Sequence, residues 1–481
     1  MRRHLLILVV LTVLVRGWMM ISYPMSGTDD NQAAQRYLID QVLSGNLLIG
    51  NLRYQTGYPF VIAPVFAVAR LFGQFDDRII LLVQVALSAT IPFMIYDILR
   101  RRRTSREALI VALFLLLDPF GLQWAHFYLP EWLIAFCMIL GLWLIEQGLR
   151  RNRALLWTGI AGIVLGFAAV ARFNFAPVVA ILGVMLFLLR SVTWRKRLLM
   201  FTTLGVTSAF MLILYMVLIQ HPSMGTWEFS CISGINMLEG IADKGIAFKP
   251  ENGTATAQFL DYESRYSAHE IEWTSDTYPK WRFDTPFASP AELDAFNNNS
   301  VRQGVSITNT NLIYFLGPCA ADSLMHGVFF ESVRAEPLRY LLGTLNVAAK
   351  EIVQLPTQDD PRYFPMPDQL TPTESRNILG FERVKGWEYT GEWVWLPGVE
   401  LFSTLFSVWN LYKWLTPLAL IWTALRGDWF YRTAAVILVA GAIITALVEA
   451  PEARIYSWMY PLAPILIGGM VAALLRRWER A

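Results

Sequence analysis

Two adjacent carboxylates follow the first apolar segment of this sequence. Asp29 and Asp30 lie in the polar stretch Ser26–Asn31, and a helical pattern of apolar residues begins soon afterwards. A side-chain oxygen at a helix start satisfies free backbone N–H groups, so one of the two aspartates is a candidate helix cap. A carboxylate held near a partly desolvated reaction site is also a general base. Position alone leaves both interpretations open.

A third carboxylate begins another apolar segment. Glu131 follows Pro130, and proline and acidic residues both suit the first turn of a helix. A carboxylate at the edge of a bilayer is costly unless it is paired or lines a wet cavity, so a functional role is the favoured interpretation. His126 lies close by in sequence and is a candidate accessory acid or base, although a lone interfacial histidine is more often structural.

Arg172 is the only charged residue between Trp157 and Arg190. Such a residue can simply extend its charge towards the lipid headgroups. The planar guanidinium also suits a phosphate at a membrane surface, because it forms charged bidentate hydrogen bonds. A further charged cluster, Glu449–Tyr456 with Arg454, precedes the last apolar segment. That cluster is either a solvated loop or a part of the same site.

The segments between these residues indicate an integral membrane protein. Charged residues make up 16% of the sequence and apolar residues 55%, whereas soluble domains carry roughly 25% charged residues. A net charge of +2 favours neither nucleic-acid binding nor an acidic substrate, and we expect no nucleic-acid partner. About ten segments come close to the roughly 20 apolar residues of a membrane-spanning helix. They cover 4–23, 79–99, 106–124, 129–149, 155–172, 174–190, 198–219, 400–425, 431–448 and 457–475.

The stretch 57–73 decides the topology. It is apolar but short and contains Pro59 and Pro64, so we interpret it as a helix that lies in the outer interface. The basic clusters that separate the spans then all face the cytoplasm, as the positive-inside rule requires. We therefore predict a multi-pass protein of the inner (plasma) membrane with both termini cytoplasmic and a first outer loop at 24–78.

A large hydrophilic segment, 220–399, interrupts the apolar pattern. It separates a first membrane module, 1–219, from C-terminal helices at 400–481, and we predict that it is an extracytoplasmic domain of α or mixed structure. Within it, 324–354 has the spacing of amphipathic helices. Cys231 and Cys319 both fall in this segment and could pair in an oxidising compartment.

The order of these features resembles the GT-C superfamily of polyprenyl-phosphate-sugar glycosyltransferases, in particular the bacterial relatives of protein O-mannosyltransferase and of the lipid A aminoarabinose transferase. The likeness rests on four motifs: Asp29-Asp30 with Tyr37 and Leu43–Asn46, Gly57–Gly73, Leu129–Trp132, and Gly166–Phe173. The family's usual basic residue before the juxtamembrane helix is replaced by Gln55-Thr56, and Arg53 is the nearest substitute.

The resemblance implies an all-α polytopic fold and an inverting transfer of a sugar to an acceptor hydroxyl. Asp30 or Asp29 would be the catalytic base, Asp30 being favoured by its distance from Gly45, and Glu131 would orient the acceptor or the sugar. The donor would be a polyprenyl-phosphate-linked sugar, and the acceptor a lipid, glycan or protein; membrane lipids are further partners. We expect no metal or other cofactor. The substrate-binding residues would be Arg172, Arg53, Arg454, His126, Tyr58 and Tyr37.

Two other classes of function compete with this interpretation. A transporter or flippase usually shows paired inverted halves and broken helices near the bilayer midplane. Here the charged residues gather at one rim, and the long hydrophilic segment has no counterpart on the other side. The sequence is also compatible with a non-catalytic membrane scaffold whose outer domain binds a partner. The sequence contains no Walker loop, dinucleotide fingerprint, zinc-type spacing or nucleophile elbow.

Overall fold

In the computed structural model, all regular secondary structure of the described residues is helical. The described residues are 2–22, 38–50, 57–71, 77–118, 121–122, 125–126, 130–231, 233–267, 312, 316–353, 411–448 and 459–479. The predicted all-α fold is confirmed for these residues.

Among the described residues before 225, the structure has eight α-helices of at least ten residues, a helical piece at 38–43 and several short helical turns. The helices are α1 Arg2–Ser22, α2 Gly57–Leu71, α3 Asp77–Arg102, α4 Ser105–Leu116, α5 Glu131–Arg150, α6 Ala154–Ala171, α7 Ala176–Met185 and α8 Trp194–Tyr215. α8 continues through a π-helical turn and a short helix to Met224, where Gly225 adopts φ +72° and ends it. The helical stretch therefore runs past residue 219, the predicted end of this span.

The rest of the chain adds seven helices among the described residues. They are α9 Ser233–Asp243, α10 Thr254–Ser267, α11 Pro318–Ala335, α12 Pro337–Val353, α13 Tyr412–Arg426, α14 Trp429–Val448 and α15 Leu462–Trp478. The amphipathic spacing at 324–354 thus corresponds to most of α11 and to α12.

Six helical stretches among the described residues are long and apolar enough to cross a membrane. They are Arg2–Met20, Ile79–Arg102, Glu131–Arg150, Ala154–Ala171, Trp194–Met224 and Trp429–Leu447. The other predicted spans contain shorter helices, α4, α7, α13 and α15, so the total of about ten stays a prediction. α2 has 15 residues and is about 22 Å long at 1.5 Å per residue. It is therefore shorter than the roughly 30 Å hydrocarbon core of a bilayer.

Ion pairs join the helix ends at one end of the bundle. Arg102 binds Glu146 at 2.5 Å, and Arg103 binds Asp428 at 3.1 Å. Arg150 approaches Asp97 at 3.3 Å, so that α3, α5 and α14 are linked through charged side chains. Because buried charges are costly unless they are paired, these contacts fix the relative positions of the helix ends. We call this the arginine end, and it comprises residues 97–107, 146–153, 426–429 and 476–479.

Helices α9 to α12 form an outer group at the opposite end of the bundle, where α9 and α12 contact α14. α9, α10 and α11 share a small apolar core that includes Leu238, Phe259 and Met325. Cys231 and Cys319 form a disulfide that ties the start of α9 to the start of α11. The pairing that the sequence left open is therefore present in the structure.

α12 attaches this outer group of helices to the spans. The Tyr340 hydroxyl donates a hydrogen bond to the Leu447 carbonyl at 2.5 Å, close to the end of α14. Val347 and Ala348 pack against Ala442 and Ala446 of the same helix. The outer helices therefore rest on the C-terminal spans.

Glu331 of α11 binds the start of α10 and so holds two of the outer helices together. Its carboxylate accepts hydrogen bonds from the backbone N–H groups of Ala255 (3.0 Å) and Thr256 (2.7 Å) at the start of α10. Burial opposes the charged form, yet these bonds together lower the pKa of Glu331. The stabilisation is therefore present above the unfolded pKa and is lost as pH falls through the lower folded pKa.

Replacing Glu331 by Gln should destabilise the start of α10 by about 1 kcal/mol near neutral pH. Amide hydrogen exchange at residues 255–258 should become several-fold faster, and the difference from wild type should shrink under acid. Glu336→Gln, at the junction of α11 and α12 and paired with Arg339 instead of the start of α10, is the matched control. If both substitutions had equal effects on exchange at residues 255–258, Glu331 would not be the residue that stabilises the start of α10.

Candidate active site

Glu131 and Arg172 form a buried ion pair at the end of the bundle opposite the arginine end. Arg172 Nη1 donates to Glu131 Oε1. The Glu131 side chain is 1% exposed and that of Arg172 is 13% exposed. A charge at this depth is stable only with a partner, so the two residues depend on one another. The contact uses one of the five N–H donors of the guanidinium.

The hairpin of α5 and α6 brings these two residues together. Only residues 151–153 separate the helices, so the start of α5 and the end of α6 lie at the same level. A Cβ on Gly148 would lie 2.6 Å from Trp157 Cβ, and one on Gly141 would lie 2.9 Å from Leu165. These glycines permit the close packing of the hairpin. Arg172 then leaves the helix with an extended backbone, φ −158° and ψ 109°.

The start of α2 packs directly against the residue before Arg172. A Cβ on Gly57 would lie 2.6 Å from both Ala171 Cα and Ala171 N. Only a residue without a side chain allows this approach of two backbones. Gly57 therefore holds the start of α2, with Tyr58, against the end of α6 that leads into Arg172.

Replacing Gly57 by Val should separate α2 from α6, because the contacted atoms are backbone atoms that cannot rotate away. We expect a loss of about 1–3 kcal/mol, seen as a lower thermal unfolding temperature in detergent and as reduced activity. Gly205→Ala is the control, since nothing lies within 4 Å of a Cβ there. That change should be neutral or stabilising. A Gly57→Val variant as stable as wild type would refute the close packing.

Tyr58 connects α2 with α3 and with the segment that precedes Glu131. Its hydroxyl donates to Gln84 Oε1 at 2.6 Å, and Gln84 Nε2 donates to the Ala125 carbonyl at 2.9 Å. The Tyr58 ring meets the Trp132 ring edge-on, with centroids 6.4 Å apart. His126, the neighbour of Ala125, is fully buried. Four of the predicted site residues therefore lie in one group: Glu131 and Arg172 are in direct contact, and Tyr58 and His126 are linked to the group through the neighbouring residues Trp132 and Ala125.

The other predicted site residues lie outside the described residues. They are Asp29, Asp30, Tyr37, Arg53 and Arg454. The described part of the first loop nevertheless reaches the same end of the bundle. The Gly50 N–H donates to Ser223 Oγ at 3.0 Å, beyond the end of α8.

Sequence reasoning missed a second buried charged group at this end. Arg16 of α1 is 5% exposed and donates from Nη1 to the Gly121 carbonyl at 3.1 Å. Asp118 is fully buried and accepts from the Gly121 N–H at 2.9 Å. Arg16 also interacts electrostatically with Asp118 and Tyr460. The signal was available, because an arginine inside an apolar segment rarely faces lipid.

One group of possible metal ligands occurs among the described residues, Glu228 with Cys231 and Cys319. The two sulfurs are joined in the disulfide and so offer no thiolates. This group is therefore a poor metal site.

Comparisons with known proteins provide independent information. Residues 58–219 match the family model described as dolichyl-phosphate-mannose-protein mannosyltransferase. This segment runs from α2 through α8 and contains the four connected residues. No curated protein matches the sequence.

Several solved structures resemble the chain at low identity. Archaeal oligosaccharyltransferase AglB from Archaeoglobus fulgidus, in complex with an inhibitory peptide and a dolichol-phosphate, is 14% identical with a TM-score of 0.46, over 99% of this chain and 50% of that one. The Archaeoglobus fulgidus oligosaccharyltransferase tethered to an acceptor peptide is 13% identical with a TM-score of 0.49, over 98% of this chain and 50% of that one. ArnT from Cupriavidus metallidurans bound to undecaprenyl phosphate is 13% identical with a TM-score of 0.38, over 98% of this chain and 78% of that one. The chain thus spans half the length of the two archaeal chains, and TM-scores below 0.5 do not establish a shared fold.

Proposed function

We propose that this chain is a membrane glycosyltransferase of the GT-C class that transfers a sugar from a polyprenyl-phosphate donor to an acceptor hydroxyl. The observation that carries the proposal is the buried Glu131–Arg172 pair, which lies inside the family-matched segment 58–219. An arginine fixed at the rim of a helical bundle suits the phosphate of a lipid whose chain lies in the bilayer.

The proposed reaction is a single inverting displacement. Asp30 or Asp29 accepts the proton of the acceptor hydroxyl, and the hydroxyl oxygen attacks the anomeric carbon of the sugar. The bond from that carbon to the phosphate oxygen breaks, and the polyprenyl phosphate leaves with the bonding electrons. Arg172 stabilises the negative charge on the departing phosphate. Arg53 and Arg454 are the proposed additional phosphate ligands.

Glu131 acts in this scheme by positioning Arg172. A carboxylate bound to one guanidinium nitrogen restricts rotation of the whole planar group, so that its other donors have a fixed direction. Orientation of the acceptor or the sugar by Glu131 is a further proposed role. Tyr58, Tyr37 and His126 are the remaining proposed substrate contacts. No metal is required in this mechanism, because arginine side chains offset the phosphate charge.

The proposed orientation places the arginine end in the cytoplasm, with both termini, and the reaction on the other face of the inner membrane. The concentration of arginines at one end of the bundle supports this direction. The Cys231–Cys319 disulfide also supports it, because disulfides persist in oxidising compartments. We retain 1–219, 220–399 and 400–481 as the proposed division of the chain.

A panel of labelled donors tests the proposed function. The purified full chain would be incubated in membrane vesicles with radiolabelled polyprenyl-phosphate sugars and with the matching nucleotide sugars, alongside lipid, glycan and peptide acceptors. We expect transfer from at least one lipid-linked sugar and none from a nucleotide sugar. Transfer from nucleotide sugars alone would refute the proposal. Movement of unchanged donor between leaflets without transfer would instead favour a flippase.

A further inference from the structure

A cavity at the arginine end is lined mainly by arginines. Its volume is about 350 Å³, and it lies between the junction of α3 with α4 and the last turns of α13 and α15. It is far from the Glu131–Arg172 pair along each helix and plays no part in the proposed transfer. Its lining residues are Arg103, Trp422, Arg426, Ala473, Leu474, Arg476 and Arg477.

The charges around this cavity do not balance. Arg103 binds Asp428 at 3.1 Å, and Arg476 binds Glu107 at 3.0 Å. Arg426 and Arg477 make no ion pair with any described residue. Two carboxylates thus face four arginines, and none of the lining residues is acidic. The C-termini of α13 and α15 add about half a negative charge each, so an excess of positive charge remains.

The two paired arginines are held in place. The Arg103 guanidinium lies 5.9 Å from the centroid of the Tyr431 ring, in addition to its bond with Asp428. Glu107, the partner of Arg476, is only 1% exposed and also accepts a hydrogen bond from the Tyr431 hydroxyl at 3.3 Å. Since these groups are already ordered, a ligand that binds them loses little side-chain entropy.

Apolar side chains surround the charged lining. Leu474 in the cavity wall is 54% exposed, and the neighbouring Leu425 and Trp478 are 75% and 80% exposed. These residues lie at the ends of apolar helices, where in the proposed orientation a bilayer would pass from headgroups to acyl chains. A ligand with a phosphate and an attached acyl chain therefore matches both parts of this surface better than a free ion.

We propose that this cavity binds the phosphate group of an anionic phospholipid in the leaflet at the arginine end. Arg426 and Arg477 supply the uncompensated charge, and Arg103 and Arg476 add donors of fixed direction. Basic pockets between spans are a general means of binding lipid headgroups. The bound lipid would bridge α13 and α15 and stabilise the packing of the C-terminal helices.

Lipid binding to the delipidated full chain tests this site. Native mass spectrometry and thermal unfolding would be measured with phosphatidylglycerol, with phosphatidylcholine and with inorganic phosphate. We expect phosphatidylglycerol to bind and to raise the unfolding temperature, and the double variant Arg426→Gln/Arg477→Gln to bind it about thirtyfold more weakly. Arg426→Lys/Arg477→Lys keeps the charge and should retain most of the binding.

Arg190→Gln/Arg195→Gln is the matched control. It removes the same charge from exposed positions near the start of α8, outside the cavity lining, and should leave lipid binding nearly unchanged. Equal losses in the two glutamine double variants would overturn the proposal, because binding would then follow net charge alone. Equal stabilisation by phosphatidylcholine would overturn it too. Protection by inorganic phosphate at equal concentration would indicate a soluble anion as the ligand and would also overturn it.

Discussion

Replacing Asp29 and Asp30 together by Asn is expected to abolish sugar transfer and to leave the fold intact. Asparagine has nearly the same size as aspartate but cannot accept a proton at neutral pH, so the acceptor hydroxyl would lose its base. We expect a fall in kcat of at least about 10²–10⁴-fold, the usual contribution of general acid–base catalysis. Initial rates with a saturating labelled donor would measure it.

The single variants identify which aspartate acts. Asp30→Asn should reproduce the loss of the double variant, whereas Asp29→Asn should keep most of the activity. Asp40→Asn, on an exposed position of the helical piece that follows in the first loop, is a matched control and should be active. If the double variant keeps full activity, the proposed base is wrong.

Removing one member of the Glu131–Arg172 pair is expected to have the second large effect. Each single change leaves an uncompensated charge at a buried position, at a cost of about 3–5 kcal/mol. Arg172→Gln should therefore unfold at a lower temperature and lose activity. Glu131→Gln should also be less stable, and its remaining arginine would no longer be oriented.

The double variant Glu131→Gln/Arg172→Gln separates stability from catalysis. It removes both charges and should recover much of the stability that each single variant loses. Its activity should stay at least about 10²-fold below wild type, because the charge that stabilises the departing phosphate is absent. Arg172→Lys should be intermediate, since lysine keeps the charge but not the planar fork. A stable and fully active double variant would show that the pair is only structural.

The helical membrane architecture was predictable because it follows from composition and segment length. The low share of charged residues and the long apolar segments indicate spans without any knowledge of packing. The match of residues 58–219 to a mannosyltransferase family model agrees with the family resemblance that rested on four short motifs. The lengths of individual helices were less predictable. α4 ends at Leu116, whereas the apolar run that predicted this helix continues to residue 124.

The chemistry-bearing residue types could be selected from the sequence, but not their contacts. Glu131 and Arg172 are each a charged residue at the edge of an apolar segment, which marks them as candidates from sequence alone. Their direct pairing depends on the short 151–153 loop and on glycines that let α5 and α6 approach closely. Local periodicity does not contain that information, since it describes one helix at a time.

Long-range packing also explains what sequence reasoning overlooked. Arg16 lies within the first apolar segment and Gln84 within the second, where single polar residues do not change a hydropathy average. Arg16 bonds to Gly121, and Gln84 bridges Tyr58 and Ala125, all distant in sequence. A search for isolated polar residues inside apolar segments would have found both.

A structure of the full chain with bound polyprenyl phosphate tests the central claim most directly. We expect the phosphate within hydrogen-bonding distance of the Arg172 guanidinium, with Glu131 still bound to the same guanidinium and the lipid chain passing along α2. Arg172→Gln should lose this density under the same conditions. A phosphate bound away from Arg172, or a central cavity open in turn to each end of the bundle, would contradict the proposed transferase site.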